Sequence, residues 1–424
     1  MTPEIKQRIE QIRRGEVPEG YVKKRKVVIP QQWGLPQIKD IASISSGSTP
    51  NRNNSEYWNG NIAWVTTGEL SSGHVNHTSE LITVKAVKET KMRIYPQGTL
   101  LMAMYGQGKT RGTVAILEID AAVNQACAAI TVKDGKSKFL FYQLKNSYQD
   151  IRKLSNTGNQ ENLNADIIKT YQVPWAPDEE QERISTILTT QDKVIELKEK
   201  RLAEKQRQKK YLMQQLLTGK KRLPGFSGEW KNIKLSEVLS ERKEKNVEQN
   251  LRICSVAVQK GVVDQVEHLG RSYAANDTSN YSVAHYGDII YTKSPTGDFL
   301  YGIVKQNLLQ ETVAVSPLYG VFTPLTFGLG YFLHTYFQSA ICARNYLLPI
   351  VQKGAKNTIN ITNDTFISSK LYLPLDVEEQ KAIADTFIAA DREIELLQQD
   401  IEQEKQKKKA LMQLLLTGIV RVNA

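Results

Sequence analysis

The sequence predicts an α+β fold in which two similar globular domains alternate with two long helices. Residues 179–219 and 378–418 align without a gap at a shift of 199 positions, and 17 of the 41 aligned residues are identical. The segment before each of these stretches also keeps a common frame, because a tryptophan stands eight residues before an aliphatic residue in both, Trp33 in the first and Trp230 in the second. The chain is therefore predicted to contain one unit of about 200 residues twice.

The two aligned stretches are predicted to be helices with a coiled-coil seam. Apolar residues recur at seven-residue intervals or multiples of them: Leu188, Ile195, Leu202 and Leu216 in the first, and Phe387, Ile394, Ile401 and Leu415 in the second. Each stretch ends at a glycine, Gly219 or Gly418, which favours the left-handed conformation that terminates helices. Because globular segments and helices alternate, the simplest arrangement is an antiparallel coiled coil that relates the halves by an approximate two-fold axis.

The globular segments have the pattern of mixed strands and helices. In the first, short β-branched or apolar runs bounded by turn residues predict strands at 62–65, 99–104, 113–119 and 128–132, and the spacing within 139–154 predicts a helix. In the second, strands are predicted at 288–292, 300–304 and 313–322 and a helix over 331–348. The predicted domains are a helical and basic N-terminal arm at 1–26, globular domains at 27–177 and 223–374, and spacer helices at 178–222 and 375–424.

Composition narrows the class of partner. A net charge of +11 over 424 residues suggests a polyanion, nucleic acid before membrane. Three isolated cysteines indicate neither a disulfide framework nor a zinc site, and His74 and His77 have no third ligand nearby. The sequence shows no signal peptide and no uninterrupted apolar span, so we expect a cytoplasmic protein that does not enter membranes and needs no metal or cofactor.

The segment Ala103–Thr110 resembles a relaxed phosphate-binding loop. A working loop of that kind opens a helix, whereas here a glycine and a strand-like run follow Thr110, so a hairpin turn is predicted instead. The tip of such a hairpin offers side chains that stack on, hydrogen-bond to or neutralise DNA. These candidates are Tyr105, Gln107, Lys109 and Arg111, with Lys293, Ser294 and Thr296 in the corresponding turn of the second half.

Other polar turns supply further candidates for DNA contact. Arg52 and Asn53 follow the Ser46–Pro50 turn. A segment in each half just before the return strand adds the candidates Asn159, Gln160, Lys353, Lys356 and Asn357. For all of these residues, an exposed turn without a function is the alternative. We find no nucleophile paired with a base, no Asn-Pro-Pro-Tyr or Asp-Pro-Pro-Tyr motif and no glycine-rich S-adenosylmethionine loop, so no catalytic residue is predicted.

The sequence resembles the specificity subunits of Type I restriction-modification enzymes. The resemblance rests on PEGYVKKRKVVIPQQWG, IASISSGSTP, VNQAC, TGNQENLN, VPWAPDEEQ, the helix ends QQLLTG and QLLLTG, and GFSGEW, and it covers nearly the whole chain. It implies two target recognition domains that each read half of a split sequence in double-stranded DNA. It further implies two adenine-N6 DNA methyltransferase subunits held by the helices, restriction (translocase and endonuclease) subunits outside them, and no chemistry in the chain itself. The segment Gly354–Asn360 lacks the glutamine of its first-half counterpart, which leaves its contacts open.

Two other functions remain open at this point. One is an enzyme that hydrolyses nucleotides at the Lys109 loop. The other is a coiled-coil scaffold for a DNA-modifying complex that binds DNA without sequence preference.

Overall fold

A computed structural model describes residues 2–106, 108–154, 162–271, 274–353 and 359–422. The chain forms two compact units: Met1–Lys198 with Asp400–Ala424 make up unit 1, and Glu199–Gln399 make up unit 2. Each unit therefore contains one globular segment and parts of both long helices.

Unit 1 contains an N-terminal helix, a hairpin, two larger sheets and several short helices. Its helices are α1 (Pro3–Arg13), α2 (Ile38–Ile41), α3 (Val84–Glu89), α4 (Ser137–Asn146), α5 (Tyr148–Lys153), α6 (Ala165–Thr170) and the first part of α7 (Asp178–Leu216), with 3-10 turns at Ser55–Tyr57 and Thr67–Ser72. Its strands are β1 (Tyr21–Lys24), β2 (Val27–Pro30), β3 (Ala42–Ser46), β4 (Trp58–Val65), β5 (His74–Val75), β6 (Glu80–Ile82), β7 (Leu100–Ala103), β8 (Val114–Leu117), β9 (Ala122–Val123) and β10 (Cys127–Val132).

Unit 2 follows the same plan with different insertions. Its helices are α8 (Gln265–Leu269), α9 (Phe327–Tyr336), α10 (Ala340–Leu347), α11 (Asn363–Ser368) and the first part of α12 (Val377–Leu415), with 3-10 turns at Leu235–Glu237 and Leu348–Ile350. Its strands are β11 (Trp230–Lys234), β12 (Leu239–Glu241), β13 (Ile253–Ala257), β14 (Gly261–Asp264), β15 (Ser282–Ala284), β16 (Ile289–Tyr291), β17 (Val304–Gln306), β18 (Val313–Val315), β19 (Gly320–Pro324), β20 (Gln352–Lys353), β21 (Ile359–Asn360) and β22 (Lys370–Pro374).

The main sheets of the two units share the order of four strands. In unit 1 the strand order is β3-β10-β7-β8-β5, and in unit 2 it is β12-β19-β16-β17, without a counterpart of β5. Each sheet contains a central antiparallel hairpin, in which Met102 pairs with Val114 in unit 1 and Tyr291 pairs with Val304 in unit 2. The α+β class and the internal duplication are thus confirmed. The second sheets differ: β6-β4-β9 in unit 1 and β14-β13-β18-β15 in unit 2.

The long helices pair in antiparallel fashion inside each unit. In unit 1, Gln191 and Lys198 of α7 bind Glu404 of α12 at 2.6 and 2.9 Å, while Glu180 at the start of α7 binds Arg421, just beyond the end of α12. Residues that come later in α7 thus contact residues that come earlier in the α12 segment, so the two helices run antiparallel, as predicted.

Unit 2 shows the same direction of pairing. Lys205 binds Glu393 at 2.9 Å, and Arg222, just beyond the end of α7, binds Glu379 at the start of α12. Most of the predicted seam residues are buried, and Leu188 and Phe387 are fully so, whereas Leu202 and Ile394 are partly exposed. Equivalent tyrosines support the helices, because the Tyr142 hydroxyl donates to Asp192 at 2.7 Å in unit 1, and Tyr331 donates to Asp391 at 2.9 Å in unit 2.

Several local predictions need adjustment. The predicted helix at 331–348 is two helices, α9 and α10, and the predicted strand at 300–304 is displaced to Val304–Gln306. The connection before that strand bends at Gly302, whose φ of +101° suits glycine. The basic run 23–26 lies in the β1–β2 hairpin, so the predicted boundary at residue 26 falls between two paired strands.

Candidate nucleic-acid interface

The connection between β7 and β8 presents the first group of predicted contacts. Tyr105 follows β7 with 41% of its surface exposed, and Lys109 is exposed further along the turn. The strand β8 begins at Val114, so the Lys109 segment leads into a strand of an antiparallel hairpin, as predicted. It does not have the strand-to-helix geometry by which a phosphate-binding loop holds nucleotides.

Helix α5 holds this hairpin tip in place. The Tyr148 hydroxyl donates a hydrogen bond of 2.7 Å to the carbonyl of Lys109, and Arg152 Nη1 donates one of 2.8 Å to the carbonyl of Arg111. Gly112 allows the close approach, since its φ is +82° and a Cβ there would lie 3.2 Å from Arg152 Cγ. The sequence analysis singled out neither Tyr148 nor Arg152 within the predicted helix at 139–154, although their spacing of four residues puts them on one side of a helix.

Arg111 differs from the expectation of an exposed tip residue. Its exposed fraction is only 7%, because residues 111 and 112 turn beneath the tip against helix α5. The Arg111 side chain therefore does not lie at the exposed tip, and its contact with DNA stays a prediction from the sequence.

Arg52 is exposed and held in a fixed orientation. Its guanidinium binds the Glu80 carboxylate through both terminal nitrogens, with a distance of 3.0 Å from Nη2 to Oε2, and lies 4.1 Å from the ring centre of Trp58. The hydrogen bond from Arg52 to Glu80 raises the pKa of Arg52. The neighbouring Asn53 is exposed, and its backbone amide donates to Asn51 Oδ1 at 3.0 Å. These two residues lie on a separate loop of unit 1 from Lys109.

The corresponding turn of unit 2 connects β16 to β17. Lys293 has a φ of +59° and is half-buried, and burial lowers the pKa of Lys293, an effect that Glu241 partly opposes. Ser294 and Thr296 are exposed, and Thr296 exchanges two backbone hydrogen bonds of 3.0 Å with Phe299. The turn is therefore braced within itself, whereas the turn of unit 1 is braced by a helix.

The remaining predicted contacts are only partly covered by the structure. Lys353 lies in β20, which pairs with β21. Five candidates lie outside the described residues: Gln107, Asn159, Gln160, Lys356 and Asn357. Leu163, three residues after Gln160, lies at the base of the hairpin tip, because its amide donates a hydrogen bond of 2.9 Å to the carbonyl of Met104.

The sequence predicts neither a metal site nor a membrane-spanning helix. In the part of the chain that the structure describes, no cluster of three or more histidine, cysteine or acidic side chains is arranged to hold a metal ion. None of the helices within the described ranges combines the length and the apolar content needed to span a bilayer.

Comparison with known proteins defines the class to which this architecture belongs. The family model of the Type I restriction modification DNA specificity domain matches the chain twice, at residues 30–206 and 227–406. The chain belongs to this family and carries two copies of its domain.

Its relatives are specificity subunits. The chain is 34% identical over 178 residues to the Type I restriction enzyme MjaIX specificity subunit of Methanocaldococcus jannaschii, a match that spans 41% of this chain and 40% of that protein. It is 24% identical to the MjaVIII specificity subunit of the same organism, over 93% of this chain and 94% of that protein.

Solved structures support the fold over almost the full length. A crystal structure of the Type I restriction-modification system S subunit from M. genitalium superimposes with a TM-score of 0.58 at 11% identity, covering 93% of this chain and 98% of that one. A chain from a structural study of complex assembly in the Type I system gives a TM-score of 0.53 at 14% identity, covering 92% and 99%.

Proposed function

We propose that this chain reads a split DNA sequence for a Type I restriction-modification enzyme, with each unit reading one half. The observation that carries the proposal is the repeated hairpin. Two sheets that share the order of four strands present a polar connection between corresponding strands, with Lys109 in one and Lys293 in the other. The residues around these two lysines differ, as expected of two readers with different specificities.

The direct contacts we assign are exposed or half-buried residues of these turns and of the Arg52 loop. Lysine and arginine neutralise phosphates or bind guanine edges, and asparagine, serine and threonine hydrogen-bond to bases or to the backbone. We assign DNA contact in this way to Arg52, Asn53, Tyr105, Lys109, Lys293, Ser294 and Thr296. Gln107, Asn159, Gln160, Lys353, Lys356 and Asn357 stay as predictions from the sequence.

The other partners follow from the family. We propose that the long helices hold two adenine-N6 DNA methyltransferase subunits, that restriction subunits join the complex, and that the chain itself performs no catalysis. Its place of action would be the cytoplasm, where these partners meet DNA. The antiparallel helix pairing within each unit supports a role for the helices as rigid spacers.

Mapping of methylation tests the proposal directly. The chain would be co-expressed with its methyltransferase, and N6-methyladenine would be mapped across a random plasmid library. A split motif with a fixed gap is the expected result. Methylation at an unsplit motif would contradict reading by both units, and co-purification without methylation would favour a scaffold that does not read sequence.

A further inference from the structure

A groove lies beside the hairpin tip of unit 1. It has a volume of about 660 Å³ and lies between three pieces of unit 1: the 3-10 turn Thr67–Ser72, the tip at 108–114, and the end of α4 with α5. The described residues that line it include three cationic side chains, those of Lys109, Lys145 and Arg152, and no carboxylate. Hydroxyl and amide groups from Thr67, Ser71, Thr110, Thr113, Tyr148 and Gln149 complete the lining.

Lys145 is held in place at this groove. Its ammonium lies 5.1 Å from the ring centre of Phe141, a cation–π contact, and 3.4 Å from the position that a Cβ on Gly73 would take. Burial and the nearby charge of Lys408 lower the pKa of Lys145, and the carboxylate of Asp192, which binds Lys408, partly opposes this shift.

From this geometry we infer that the groove binds a phosphodiester group of the DNA backbone, adjacent to the bases that the hairpin tip reads. The three cationic side chains of the lining favour an anion, and a groove walled by hydroxyl groups suits the oxygens of a phosphate. The Tyr148 and Arg152 hydrogen bonds fix one wall, so the groove and the tip keep a constant distance from each other. The inference rests on the proposed function, because it requires DNA at the tip.

Unit 2 has no lysine at the position of Lys145. Counting from the equivalent tyrosines, Lys145 lies three residues after Tyr142 on α4, and His334 lies three residues after Tyr331 on α9. His334 is 6% exposed, and its Nδ1 accepts a hydrogen bond of 3.0 Å from the backbone amide of Gln306. The lysine contact is thus a feature of unit 1.

The salt dependence of DNA binding tests the inference. The affinity of the complex with the methyltransferase would be measured between 50 and 200 mM salt, on a duplex with the recognised motif and on a scrambled duplex. The plot of log affinity against log salt has a negative slope, and loss of one phosphate contact makes that slope less steep by about 0.9. Lys145→Gln should therefore lose about threefold more affinity at the low end of this range than at the high end. The same loss is expected on both duplexes. Lys39→Gln, an exposed lysine of unit 1 outside the groove, is the matched control.

Each other result has a defined meaning. An unchanged slope for Lys145→Gln would overturn the inference, and a loss confined to the motif duplex would assign Lys145 to base reading instead. Lys145→Met, which keeps the length of the side chain beside Phe141 and removes the charge, gives a second measurement if the first variant folds poorly, as judged by its melting temperature. If wild-type protein binds both duplexes equally, the proposed recognition of a DNA sequence is contradicted. The comparison of slopes still tests whether the groove binds a phosphate.

A free phosphate compound is the other possible source of the anion. Millimolar ATP and inorganic phosphate would be tested for thermal stabilisation of the wild-type protein and the Lys145→Gln variant. Stabilisation of the wild type alone, together with unchanged DNA binding by the variant, would overturn the assignment to DNA. No stabilisation by either compound, together with the reduced slope, supports it.

Discussion

The indole Nε1 of Trp33 donates a hydrogen bond of 2.9 Å to Glu180 at the start of helix α7. Both oxygens of the same carboxylate accept hydrogen bonds of 2.8 Å from Arg421. Unit 2 repeats the first contact between Trp230 and Glu379, at 3.1 Å. In each unit a buried carboxylate thus connects the start of the globular segment to the long helices.

Replacement of Glu180 should destabilise unit 1. Glu180→Ala leaves the indole N–H of Trp33 without its acceptor and removes the ion pair of Arg421, and we expect a loss of about 2–3 kcal/mol, since Arg421 keeps some solvent access and its hydrogen bond to Gln32. Thermal unfolding followed by circular dichroism measures the loss. Glu179→Ala, an exposed neighbour, is the control, and equal melting temperatures for the two variants would contradict the prediction.

Acid should weaken the same contact. Burial alone would raise the pKa of Glu180, but the hydrogen bonds from Arg421 and Trp33 outweigh it, so the pKa lies below its usual value. A carboxyl group with a lowered folded-state pKa stabilises the protein fully above its unfolded value of about 4.3, and this stabilisation is lost as the pH falls through the lower folded value.

The pH dependence can be isolated by difference. Unfolding free energies of the wild type and of Glu180→Gln would be measured between about pH 3 and pH 7. We expect the difference between the two proteins to be constant near neutral pH and to shrink below about pH 4.3. A difference that grows on acidification would contradict the lowered pKa of Glu180.

The glycine after helix α12 should not tolerate a side chain. Gly418 has a φ of +72°, and a Cβ on it would lie 2.5 Å from Pro30 Cδ. Gly15 has a similar φ of +81°, and no atom lies within 4 Å of the position that a Cβ would take. The Gly15→Ala variant therefore measures backbone strain without a steric clash. Gly15→Ala should cost about 1 kcal/mol and Gly418→Ala clearly more, as measured by thermal unfolding. Equal costs would mean that Pro30 moves away freely.

A change at the hairpin of unit 2 should affect one half of the recognised sequence. Lys293→Ala is expected to cost about 1–3 kcal/mol in discrimination at one half-site if Lys293 contacts a base edge. Binding to duplexes altered in one half at a time measures this, with the exposed Lys260→Ala as control. An equal loss on all duplexes would make Lys293 a phosphate contact.

The length of the helices should set the gap between the half-sites. One heptad inserted into α7 and one into α12 at equivalent positions preserves the seam and adds about 10 Å of helix, the length of about three base pairs. Methylation mapping should then show the same two half-sequences with a longer gap. Seven residues inserted after Gly225, which lies outside the helices, should leave the gap unchanged. An unchanged gap in the helix variant would refute the spacer role.

The features that the sequence predicted best are those encoded by short-range patterns. The helix seams follow from seven-residue spacing, and Leu188 and Phe387 are buried as that spacing requires. The hairpin at Lys109 follows from the glycine and β-branched residues after it. Both patterns lie within a few residues of the structure that they specify.

The features that the sequence did not predict depend on distant contacts. Arg111 is buried because helix α5, some 40 residues later, packs beneath the tip. The groove at Lys145 combines three separate segments of the chain, and no local pattern brings them together. The contact between Glu180 and Arg421 could have been predicted from the sequence, because an antiparallel pair of helices places the end of one beside the start of the other.

The division of the chain into units also sets an order of assembly during synthesis. Unit 2 consists of the continuous segment Glu199–Gln399, and all of its residues are available once that segment has left the ribosome. Unit 1 is made first but lacks Leu415, Leu416 and Arg421 until Asp400–Ala424 has been translated. The half of the protein that is translated first is therefore completed last, and until then its nascent core has an uncovered apolar face.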